Sequence, residues 1–125
     1  MKRVIIAAIL VILTIGSSIY VYKTTENRVN DFINIVENEK ESVIRTHKPV
    51  YKNAEKISEK WKSEQKVFQA FLSHNKTYEI DLCIYNLKDY AKQDNFDEYI
   101  ETLNECTANL KRIIDTEKLT LSNLF

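Results

Sequence analysis

Few residues in this 125-residue chain could do chemistry, and the nearest to it share one stretch, FLSHNKTYEID, residues 71–81. His74 precedes Glu79 and Asp81, an imidazole and two carboxylates that could share a proton or a metal ion across a turn. A metal centre wants three or four ligands in defined geometry. The second histidine, His47, lies a helix length away, and no cysteine lies within eight residues of His74. The competing reading is a helix boundary. With Thr77 as N-cap, Glu79 and Asp81 fall near the first turn of one helix, where negative charge complements the exposed amides. His74 then falls in the last turn of the preceding helix, where a partly cationic ring is favoured. The boundary places all three residues without chemistry, and it is the reading the sequence favours. Trp61 joins His74 and Asp81 as a candidate binding residue, although it sits on an apolar stripe that a core would use. The pattern contains no set of catalytic, cofactor-binding or metal-ligating residues, and no cofactor is expected.

Cys83 and Cys106 are the other reactive side chains. Cys83 lies three residues after Ile80 and four before Leu87; Cys106 lies three after Leu103 and four before Leu110. Each therefore shares the apolar stripe of its helix. In an antiparallel hairpin, residues equidistant from the reversal sit level, and the midpoint of 83 and 106 falls between Asp94 and Asn95. Both thiols should face one seam at one height. There they either form a disulfide or serve as two small buried side chains.

The elements that position these residues are helical. Val4 to Tyr22 is an uncharged run, VIIAAILVILTIGSSIYVY, whose helical length of roughly 28 Å approaches the hydrocarbon thickness of a bilayer. Lys2 and Arg3 precede it, which by the positive-inside bias leaves residues 1–3 cytoplasmic and residues 23–125 outside. A cleaved signal peptide is the rival, with Val4 to Ile15 as its apolar core and Gly16 and Ser18 as small residues before a cut. The run continues through Tyr20 and Tyr22, placed where interfacial aromatics sit, which favours a retained anchor.

After the anchor the chain has no glycine and one proline, Pro49. Sheet folds need turn residues in quantity, so the expected class is all-α, an N-terminal transmembrane helix running into a small antiparallel bundle of about four helices. Apolar residues at three-and-four spacing predict helices at about 24–46, 48–74, 78–92 and 96–117, followed by an apolar tail at 119–125. Pro49 ends the first helix near Thr46 and opens the second. Asn95 with Glu98 reads as a capping box after a tight reversal at Gln93-Asp94.

Charge excludes some partners. The chain is neutral overall, with residues 23–76 carrying +3 and residues 77–125 carrying −5. With arginine scarce beyond the anchor, nucleic acid is not an expected partner. Lys48, Lys52, Lys56 and Lys60 recur every four residues. Such a row could meet lipid headgroups or wall polyanions, but it reads more simply as a solvated helix face. Leu119, Leu121, Leu124 and Phe125 keep the last stretch apolar. They either pack back on the bundle, the favoured reading for so small a domain, or face a partner or a membrane.

These residues together resemble a family of uncharacterised bacterial proteins, best represented in Gram-positive bacteria, known as a domain of unknown function. The resemblance covers the whole chain. It is carried by Trp61, by His74 followed by Ile80-Asp81, by Leu87-Lys88-Asp89-Tyr90 and, most specifically, by Glu117 to Phe125. Between His74 and Ile80 the family pattern is loose, and Cys83 and Cys106 are not part of it. The resemblance implies a cell-membrane protein with one N-terminal span, a helical extracytoplasmic domain and no assigned activity. It also implies a multi-span membrane protein as partner. Two functions stay open. One is an anchored interaction or structural module that binds another membrane or envelope protein and is not an enzyme. The other is a ligand- or ion-sensing bundle, or an undetected enzyme, using His74, Asp81 and Trp61.

Overall fold

The computed structural model describes residues 1–71 and 74–124, with the side chains of Phe71, His74, Asn75, Lys76 and Leu124 outside that description. Among the described residues there are four helices and no strand: α1 (Lys2–Thr46), α2 (Tyr51–Phe71), α3 (His74–Lys92) and α4 (Phe96–Leu124). Helix α1 is one uninterrupted rod of 45 residues, about 67 Å long. Its first half is exposed, and burial begins only at Thr25. The second half packs chiefly on α4, α4 on α3 and α3 on α2, with α2 closing more lightly on α1. The result is an up-down four-helix ring continuous with a long apolar N-terminal helix.

The ring exists because each helix carries one apolar stripe. Val29, Phe32, Val36 and Val43 on α1 meet Leu103, Cys106 and Leu110 on α4 in a single buried cluster. Ile57, Trp61 and Phe68 on α2 join the same cluster with Ile80, Ile84 and Leu87 on α3. Trp61 sits between Phe32 and Phe68, with ring centroids at 5.5 and 5.7 Å. Ile44 and Val50, apolar in pattern, are exposed instead.

Without glycine, the reversals rest on other residues able to take the left-handed conformation. His47 (φ 57°) follows α1 and donates its backbone N–H to Val43 O at 2.7 Å. Buried Pro49 then lies in the connection, ahead of α2 rather than inside its first turn. Asp94 (φ 55°) closes α3. Its N–H reaches Ala91 O at 3.2 Å, and Asn95 N–H reaches Tyr90 O at 3.0 Å. This is a Schellman arrangement with aspartate where glycine is usual. Asn95 Oδ1 then accepts the Glu98 N–H at 3.3 Å, capping α4 as the sequence predicts.

The boundary between α2 and α3 differs from expectation. His74 opens α3 instead of closing α2, and Thr77 lies inside α3, fully buried, instead of capping it. The stripe Ile80, Ile84, Leu87, Ala91 extends back by one step to Thr77, so burial claims that position. Glu79 and Asp81 consequently lie beyond the first turn, which contains no acidic residue. Their placement owes nothing to the helix dipole. The tail differs too: residues 119–124 are the last turns of α4, not a separate segment. Phe125 lies outside the described residues.

Candidate functional site

Trp61 and Gln65 stand one turn apart on α2 and aim N–H donors at the same carboxylate on α3. Trp61 Nε1 donates to Asp81 Oδ1. Gln65 Nε2 lies 2.9 Å from Oδ1 and 2.8 Å from Oδ2. Trp61 is buried and Asp81 half-buried, so the three form a polar clamp at the rim of the apolar core. Beside it is a shallow cleft of about 250 Å³ lined by Ser58, Lys62, Ile84, Tyr85 and Lys88. Both carboxylate oxygens are engaged, which suits a helix-to-helix tie better than proton abstraction.

The structure brings Trp61 and Asp81 together, as a joint site requires. It does not place His74 across a turn from Asp81. Both belong to α3, seven residues or two turns apart, about 10 Å along the axis. The His74 side chain itself lies outside the described residues. Among those residues no group of three His, Cys, Asp or Glu could hold a metal ion. Glu79 pairs with Arg112 on α4 at 3.1 Å, both partners well exposed. Gln65 was not singled out by sequence reasoning. Its position four residues after Trp61, on the same helix face, was the available signal.

The cysteines meet on the α3–α4 seam. Both are buried and free, and the Cys83 thiol donates to Glu105 Oε2 at 3.9 Å. Asn109 Nδ2 donates to Cys83 Sγ at 3.3 Å. The hydrogen bond from the Cys106 thiol, helped by Asn109, lowers the Cys83 pKa against the opposing effects of burial and the Glu105 charge. Donating that bond, together with burial, pushes Cys106 up.

Further polar ties cross from α1 to α4 and to α2. The Tyr99 hydroxyl donates to Glu39 Oε1 at 3.1 Å. Burial raises the Glu39 pKa, against the lowering effect of hydrogen bonds from Tyr99 and Asn53. Glu64 on α2 receives Arg28 at 3.1 Å and Lys60 at 3.4 Å. Lys48, Lys52, Lys56 and Lys60 are all exposed.

The architecture defines a class: a small all-helical domain built onto one long apolar N-terminal helix. The chain belongs to the family described as Domain of unknown function (DUF4363), which matches residues 17–124. Neither a curated protein nor a solved structure matches it.

Proposed function

We propose that the protein is a single-pass membrane protein, with its N-terminus in the cytoplasm and residues 23–125 outside. Its helical domain serves as a non-enzymatic interaction module for another membrane or envelope protein, a multi-span membrane protein being the favoured partner. The observation that carries the interaction reading is the outer face of α3. Tyr78, Leu82 and Tyr85 recur at helical spacing and are 57%, 49% and 66% exposed. Large amphipathic side chains in line on a helix are what recognition surfaces use.

Anchoring is supported by α1. An 18-residue window near its start has mean hydropathy 2.6 and none of it is buried. Within the span the Thr14 and Ser18 hydroxyls donate to Leu10 O and Thr14 O at 2.8 and 2.9 Å, so neither donor needs water. Because α1 is unbroken, the bundle stands at a set height and rotation above the span. A sensing or enzymatic role for His74, Asp81 and Trp61 has less support, since Asp81 is already committed to Trp61 and Gln65.

A photo-crosslinking residue at Tyr85 in native membranes should capture a membrane protein that the same residue at Lys56, on α2, does not. Capture abolished by Leu82→Asp supports the module; equal capture from both positions refutes it. A reporter active only in the cytoplasm, fused after Phe125, should be silent. Stoichiometric metal in the purified protein, lost on His74→Ala, would replace this reading with the sensing one.

A further inference from the structure

Helix α4 runs antiparallel to α1, and the pairing can be followed along its length. His47 meets Phe96 with ring centroids 5.2 Å apart, Glu39 meets Tyr99, and Glu37 meets Thr107. At the other end, Ser17, Ser18, Val21 and Tyr22 of α1 share a cleft of about 250 Å³ with Glu117, Thr120 and Leu121 of α4, the Glu117 carboxylate marking its outer, headgroup-facing end. The last turns of α4 therefore lie level with the outer end of the apolar run Val4 to Tyr22. The bundle does not stop where the span begins; its fourth helix overlaps it.

We infer that the end of α4 is seated in the lipid bilayer, at the boundary between headgroups and acyl chains, with lipid filling the cleft it forms with α1. From Tyr22 inward to Ser17 is about 7–8 Å along the helix, within the depth at which interfacial helices bury their apolar faces. Leu119 is 63% exposed, a cost in water that lipid removes. The Thr120 hydroxyl donates to Thr116 O at 3.0 Å, so it is satisfied within its own helix, as Thr14 and Ser18 are in the span. Lys118, one residue before Leu119, can reach back to the phosphates.

This inference rests on the membrane anchoring proposed above, and the test separates the two. The full-length protein is placed in phosphatidylcholine vesicles whose acyl chains carry bromine, a short-range quencher of tryptophan. The native Trp61 is the internal control. It packs against Phe32, ten residues past Tyr22 and so about 15 Å outside the span, and its emission should be unchanged. Ile12→Trp reports the anchor, while Leu119→Trp and Leu121→Trp report the end of α4. Loss of most of the added emission in all three variants is expected. Quenching of Ile12→Trp with neither α4 variant quenched overturns the seating of α4 and leaves the anchor standing. An unquenched Ile12→Trp overturns both.

Discussion

The two seams that α3 makes with its neighbours solve burial in opposite ways. Against α2, it places a carboxylate at the edge of the core and surrounds it with donors from Trp61 and Gln65. Against α4, it places the small thiol of Cys83 in the seam with that of Cys106, both buried among apolar neighbours, with Asn109 the amide donor to the Cys83 sulfur. The first seam depends on every member of a polar group being present, because an unmatched buried donor costs more than the bond it lost. The second depends on volume, and small changes there are felt only as imperfect packing.

The largest effect should come from Trp61→Ala, which removes both the ring between Phe32 and Phe68 and the donor to Asp81. A loss of about 3–5 kcal/mol is expected, lowering the melting temperature by roughly 10 °C or more. Cys106→Ala in the other seam should cost far less in the same calorimetric scan. Comparable losses would erase the distinction between the seams.

Oxidation sharpens the comparison from the other side. Two free thiols on one seam should join under a mild oxidant such as diamide, with the protein losing two hydrogens by mass spectrometry. The bridge should add about 3 kcal/mol through the unfolded state. Iodoacetamide applied beforehand should label Cys83 ahead of Cys106. A mass that does not change would show that helix geometry holds the sulfurs apart.

Asp81→Ala should cost about 1–3 kcal/mol by leaving the Trp61 N–H without an acceptor. Asp81→Asn, which retains one acceptor oxygen, should cost visibly less. Equal losses from the two would mean that packing, not the hydrogen bonds, holds the α2–α3 seam.

The smallest effect concerns Glu39, a half-buried carboxylate whose burial outweighs the hydrogen bonds it accepts from Tyr99 and Asn53. Its raised pKa means that the folded state holds the proton more tightly than the unfolded chain. Its stabilising contribution is therefore present at low pH and lost as pH rises through the raised value. Glu39→Gln, which still accepts from Tyr99, should melt slightly higher than the parent at pH 7. The gain should vanish as the medium is acidified below the carboxylate range. A gain that persists at low pH would assign it to some cause other than charge.

The amino-acid order alone determined the class of fold, because its reasons are local. Three-and-four apolar spacing requires helices, and Asn95 with Glu98 three residues on sets the start of α4 by backbone chemistry within four residues. Given an antiparallel α3–α4 pair, equal distances from that turn place Cys83 level with Cys106. The α2–α3 boundary was not legible in the same way. Thr77 is both a good N-cap and a legitimate member of the stripe through Ile80 and Ile84, and only burial against the other helices chooses between them. The same choice carried Glu79 and Asp81 out of the first turn of α3. Asp81 then found partners on α2 that sequence spacing does not reveal, since Trp61 and Gln65 lie 20 and 16 residues away. The end of α4 likewise acquired its meaning from α1. Nothing local to Leu119 and Leu121 says what they stand beside; antiparallel packing over the full length of α4 puts this turn next to Ser17 and Tyr22.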